Sequence, residues 1–379
     1  MASQICADQY DISKAVLNVN KEADVKEEYE LEMKPNDNWE TYLVPGPIAI
    51  AVLGELIKIS VKNDFSINKN SPEDGYNYIR YPVSFRACLM HIVNEGYEAF
   101  SMVHKNMDEI QLHSTNIPDY IKEIVQILVQ ADDELAKLLL PDHLINIKDI
   151  SEKCTALSAA AENKFLSVIH TVLELLEACV NAKKVYQEEL KDIKNSTNIK
   201  KMMKALGDVK DQWEKIVRFF LMISELIKTC LNKSVKRLCN TSENVSKSIK
   251  YTSNSFVRDL IYQQALQACN MANLIHMISE TYTEVSDRYI IDLVIGLGRL
   301  FALDPSSFEF QKLAEGCKTA QEGILDIVEK KKTEFENKTD MRVKKLETKL
   351  EALMPDQQIE KNLSAGMRPL IEDKISQFF

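Results

Sequence analysis

Six histidines and eight cysteines are the residues of this chain with the widest chemical reach, as metal ligands, general bases or nucleophiles. Their spacing offers none of that chemistry. The histidines, at 91, 104, 113, 143, 170 and 276, form no HExxH pair and no ExxH repeat of the kind that holds metal between facing helices. His170 and His276 fall near apolar helix faces, as satisfied core histidines do. The cysteines, at 6, 88, 154, 179, 230, 239, 269 and 317, include no CxxC pair. Several lie on apolar stripes, where a reduced thiol packs as a small hydrophobe, and this implies folding in a reducing compartment. No phosphate loop, GxSxG elbow or Cys/His nucleophile pattern occurs. Gly296-Leu297-Gly298 lacks the third glycine and the preceding strand of a dinucleotide loop, and reads as a close-packing or kink point inside a helix. The expectation is a protein that is not an enzyme and uses no cofactor or metal.

The elements that carry these residues are helices. Between Pro141 and Pro305 there is no proline, and the only glycines are Gly207, Gly296 and Gly298. Proline removes a backbone donor and glycine costs about 1 kcal/mol in a helix, so a stretch lacking both can stay helical for many turns. Apolar residues recur there at alternating spacings of three and four. One run reads Cys154, Leu157, Ala161, Phe165, Val168, Val172, Leu176 and Cys179, within a helix expected over Ile150–Lys194. The next reads Val209, Trp213, Ile216, Phe220, Ile223, Ile227, Leu231, Val235 and Leu238. A third reads Met271, Ile275, Ile278, Tyr282, Val285, Tyr289, Leu293, Leu297 and Leu300. This is the seam of helices packed lengthwise with knobs in holes.

Shorter helices are expected at Ile48–Val61 after Pro45-Gly46-Pro47, at Val83 to about Asn106, and from Pro118 to Leu140. Ser71-Pro72-Glu73-Asp74-Gly75 marks a turn in the polar stretch 62–82. A more polar last helix is expected from Ser307 to about Leu353, after a break and cap at Asp304-Pro305-Ser306-Ser307. The fold class is therefore all-α: a rod-like bundle of long antiparallel helices over 41–353. A polar arm over 1–40 precedes it and a tail over 354–379 follows.

Composition narrows the function. A net charge of −10 does not suit nucleic acid, which is bound through clustered Lys and Arg. Lysine runs such as Lys330-Lys331-Lys332 stand among acidic residues and read as solvated helix faces. Three apolar features stand out. Leu138, Leu139, Leu140, Leu144 and Ile145 form a greasy turn around Pro141, either buried under a neighbouring helix or exposed as a tip that touches membrane or partner. Tyr289–Leu303 is apolar on more than one face, as a helix buried on most sides is. Ile48–Val61 reads as a helix closing one end of the bundle or as a membrane-surface helix, and is too short to span a bilayer.

The layout resembles the alpha-helical pore-forming toxins, within them the alpha-xenorhabdolysin-like two-component cytotoxins. Three pieces carry the resemblance: Asn38-Trp39-Glu40-Thr41-Tyr42 before Pro45, Trp213 in a long helix, and Ala272 to Ile290 as the late long helix. The resemblance implies a protein without a leader peptide that docks on a lipid membrane, pairs with a second protein component and oligomerises there. One departure is that the central connections, Lys191–Lys201 and Asn240–Ser255, are polar where membrane-crossing members carry an apolar hairpin. A membrane-binding or scaffold component fits better than a self-sufficient pore. No basic and apolar signal segment opens the chain, so a cytoplasmic location in the producing cell is expected, with release to act at a target membrane. The competing reading is an intracellular coiled-coil interaction protein that never touches lipid.

Overall fold

The computed structural model describes residues 40–352, apart from 63, 69–70, 131–132, 190–192 and 247–254. The expected arm over 1–40 and tail over 354–379 lie outside the described residues, except Glu40. The described residues belong to one compact unit, Asn38–Leu353. Among them there is no strand, and the unit is an all-α bundle of long helices.

The helices in chain order are α1 (Glu40–Leu43), α2 (Pro45–Lys62), α3 (Phe85–Gln130), α4 (Asp133–Glu189), α5 (Ile193–Glu225), α6 (Asn232–Ser246), α7 (Ser255–Val285), α8 (Ile291–Arg299) and α9 (Glu309–Ala352). Two π-helical segments interrupt the series. Leu226–Leu231 joins α5 to α6, and Ser286–Ile290 joins α7 to α8. With 46 and 57 residues, α3 and α4 are about 69 and 86 Å long at 1.5 Å per residue. They pack antiparallel, as Asn106 Nδ2 donating to Leu157 O (3.0 Å), the Lys164–Glu98 pair (2.9 Å) and the His143–Glu123 pair (3.0 Å) show.

Two sequence expectations give way here. Pro118 lies inside α3 and Pro141 inside α4, so neither marks a helix boundary. The α3–α4 connection falls at 131–132, outside the described residues. A mid-helix proline costs about 3 kcal/mol, but continuous burial on both sides offsets it. Around Pro118 that burial comes from Ile117, Ile121, Ile124 and Leu128, and around Pro141 from Ala136, Leu140, Leu144 and Ile147. Residues 193–201, read as part of a polar connection, are instead the first turns of α5.

The core is centred on an aromatic cluster that ties four helices together. Trp213 of α5, 1% exposed, meets Phe100 of α3 (5.6 Å between ring centres) and Phe165 of α4 (5.8 Å). Phe165 stacks on Phe220 (4.8 Å), and Phe220 meets Tyr282 of α7 edge-on (5.3 Å). Burial pushes the Tyr282 hydroxyl above the ordinary tyrosine pKa, opposed only by its neighbour Ser286. Just beyond Tyr282 the π segment inserts an extra residue into the seam. The buried series passes from Val285 to Ile290, Val294 and Leu297, leaving Tyr289 and Leu293 half-buried.

Gly296 and Gly298 are not the close-packing points. A side chain at Gly296 would meet Leu313 at an ordinary 3.5 Å, and at Gly298 it would meet nothing within 4 Å. The close approach is at Gly323 of α9, where an added Cβ would lie 2.0 Å from the Tyr289 hydroxyl. Elsewhere the local reading holds. Gly75 takes φ 75° and its N–H donates to Pro72 O (3.0 Å) in the expected turn. Ser306 and Ser307 amides donate to Asp304 before α9 (2.8 Å each), and Glu309 N donates to the Ser307 hydroxyl (3.3 Å).

Candidate functional site

The first four turns of α4 carry the residues that sequence reading singled out, and α4 divides them between two faces. Leu140 and Leu144 point into the bundle, 2% and 3% exposed. Leu144 O is the nearest acceptor of the Cys239 thiol of α6 (3.9 Å). They belong to the core, because the α4 seam passes through them. Leu138, Leu139 and Ile145 face outward, with Leu138 71% and Ile145 55% exposed. Leu135, which the sequence reading passed over, is exposed beside them. Positions 135, 138, 139 and 145 fall on one side of a helix. The result is an exposed face on regular backbone, with Asp142 set between the leucines and Ile145, rather than a greasy turn. Its exposed charged neighbours are Glu134, Asp142 and Asp149 against Lys137, an acidic balance. The half-buried His143 anchors this stretch of α4 to Glu123 of α3, with Tyr120 at its ring (6.2 Å).

Clusters of chemically capable side chains occur elsewhere, and each joins one element to another. On α3, the buried His91 approaches Glu95 (3.4 Å), whose other oxygen accepts a hydrogen bond from Thr171 of α4 (2.8 Å). The ring of Tyr81 stands edge-on over His91 (6.0 Å). Thr171 is 2% exposed, so its hydroxyl has no room to attack a substrate, and its proton already serves Glu95. Glu162 of α4 has a raised pKa through burial, with Ser224 and Lys228 pulling the other way. Glu174 accepts from three successive amides, Asn77 (2.6 Å), Tyr78 (2.6 Å) and Ile79 (2.7 Å), and so pins the 64–84 loop to α4. An amide nest of this kind binds anions, and here its anion is supplied by the chain. These clusters bring together residues far apart in sequence, which is why no motif announced them. Among the described residues, no group of three or more His, Cys, Asp or Glu side chains is placed to hold a metal ion.

The buried thiols are inert by position. Burial raises Cys239 to about 11 and Cys88, Cys154, Cys269 and Cys317 to about 12, and none of the described cysteines forms a disulfide.

No family model, curated protein or solved structure matches this chain. Function therefore rests on the surface. Two stretches are long and apolar enough to cross a membrane by length and composition, Thr41–Val61 and Glu134–Val185, and about half of each is buried within the bundle. The second contains the exposed stripe. The first contains α2, where Ile50, Leu53, Leu56 and Ile57 are fully enclosed and, among the side chains described, Glu55 alone faces solvent squarely.

Proposed function

We propose that this chain is a non-enzymatic membrane-docking protein, which lays the stripe Leu135, Leu138, Leu139 and Ile145 into a lipid surface. The observation that carries the reading is that these four apolar side chains are exposed, around Asp142, on one face of a regular helix, within four turns of the α3–α4 connection. A soluble protein gains nothing from keeping them there, whereas in lipid each buried methylene is worth about 0.8 kcal/mol. Regular helix suits an interfacial site because its backbone groups are already hydrogen-bonded. The resemblance to two-component cytotoxins supplies the rest of the reading. Docked copies pair with a second component and assemble on the membrane.

Flotation of the purified protein with liposomes tests this, comparing wild type with Leu138→Asp and Ile145→Asp. Both substitutions fall on exposed positions, so far-UV circular dichroism is expected to stay unchanged. Wild type is expected in the floated fraction and both variants at the bottom of the gradient. Wild type left at the bottom with every lipid composition would sink autonomous docking and favour the soluble interaction protein.

A further inference from the structure

The two stretches whose apolar character exceeds what one buried face needs, α2 and Tyr289–Leu303, lie side by side. They run parallel, with Gly46 against Ile290 and Gly54 against Leu297 and Leu300. One helix, α9, covers both. Leu313 sits on Gly54 of α2, Phe310 lies under the Lys58 ammonium (5.7 Å), and Gly316 and Gly323 receive Leu293 and Tyr289. We propose that α9 is a removable strap, and that lifting it offers the bilayer a second apolar face formed by α2 and α8. This rests on the membrane reading above.

Three observations separate α9 from the other long helices. It holds by a single seam, Phe310, Leu313, Cys317, Ala320, Ile324, Ile327, Val328 and Phe335, whose middle members are small, while most of its remaining described surface is charged. On its far side α3, α4, α5 and α7 meet through the aromatic cluster, whose described rings all come from those four helices. Its lower part adds a polar fastening above the buried Phe335: Lys331 reaches Glu280 (3.1 Å) and Glu284 (3.2 Å) of α7, and Arg288 holds Glu284 from the other side (2.7 Å). Beneath the strap, α2 makes up most of Thr41–Val61, one of the two stretches long and apolar enough to cross a membrane by length and composition. A bilayer can therefore accept what α9 uncovers, and the polar outer face of α9 can remain in water.

Cys317 reports the state of the strap without any added probe, because it lies on the covered face of α9, 1% exposed. Cys154 and Cys179, buried on α4, serve as internal references. Alkylation by N-ethylmaleimide, read peptide by peptide by mass spectrometry, compares wild type in solution, wild type with liposomes, and Lys331→Ala in solution. Liposomes are expected to speed Cys317 by about tenfold or more while Cys154 and Cys179 keep their rates, and Lys331→Ala is expected to speed it about fivefold without lipid. Gly323→Ala presses on a different contact of the same helix and should also favour Cys317. Protein that floats with Cys317 still protected would overturn the strap and leave docking standing. Protein that does not float would remove the bilayer as the occupant of the face. A rise shared equally by all three thiols would mean general loosening, and would overturn the strap as well.

Discussion

The start of α4 and the helix pair α2/α8 both carry runs of large apolar residues, yet one shows Leu138 and Leu139 to solvent and the other is wrapped. The difference lies in the neighbours. Along α4, α3 and α6 cover the face that carries Leu140 and Leu144 and leave the face that carries Leu138 and Ile145 open. Around α2, α5, α3, α8 and α9 close every side except that of Glu55. Apolar composition thus marks both places as capable of meeting lipid, while the packing partner decides which of them meets it first.

The largest expected effect separates the two faces of α4. Leu144→Asp buries an unpaired carboxylate and should cost more than about 4 kcal/mol in urea unfolding, whereas Leu138→Asp should stay within about 0.5 kcal/mol. Similar losses for both would erase the distinction between core and stripe. Next comes the wrapped side. Gly323→Ala forces a methyl into the Tyr289 ring and should cost about 3 kcal/mol, part of it recovered in the double variant with Tyr289→Ala. Full additivity of the two changes would show that the contact is not what holds α9.

Lys331→Ala should be milder, about 1 kcal/mol, since its ammonium is partly screened by water. Burial disfavours that ammonium, but the hydrogen bonds it donates to Glu280 and Glu284 outweigh it and raise its pKa. For a group raised in the folded state, the contribution is complete below the unfolded value of about 10.4 and is lost as pH rises through the folded one. The gap between wild type and Lys331→Ala should therefore be constant from neutral pH to about 9 and close in stronger alkali. A gap that closes on acidification instead would assign the fastening to other groups. The smallest effect concerns lipid charge. With Glu134, Asp142 and Asp149 around the stripe, anionic lipid should not improve flotation, and a strong gain would point to a basic surface elsewhere.

Much of the fold was legible because seams are local. All nine residues of the run from Val209 to Leu238 are buried as their spacing implied. The same signal crossed Pro141, where Ala136, Leu140, Leu144 and Ile147 keep the phase. The proline was read as a stop although the periodicity said otherwise. Pro118 failed in the same way, with Ile117 and Ile121 in phase around it. The π segments were not legible. Their extra residue shows only as a seam that lands on Ile290 and Val294 instead of Tyr289 and Leu293, and the intact spacing of the latter pair hid it. Glycine misled for a related reason. Gly296 and Gly298 stood out in a glycine-poor stretch, but the position that needs the missing side chain is Gly323, decided by Tyr289 on another helix. The stripe was half readable. The leucines announced apolar surface, and only the placement of α3 and α6 divided them into Leu140 and Leu144 inside and Leu138, Leu139 and Ile145 outside. Glu174, Lys331 and the Glu95–Thr171 contact depend on distant partners, which a single sequence does not pair.

The most direct measurement places an environment-sensitive dye at Leu138→Cys and, separately, at the exposed Leu325→Cys of α9, with Cys6 replaced by Ser, and adds vesicles carrying nitroxide-labelled lipid. The account expects the dye at 138 to shift to the blue and be quenched, while the dye at 325 reports water. Equal quenching at both positions, or none at 138 in protein that floats, would contradict docking through the α4 stripe.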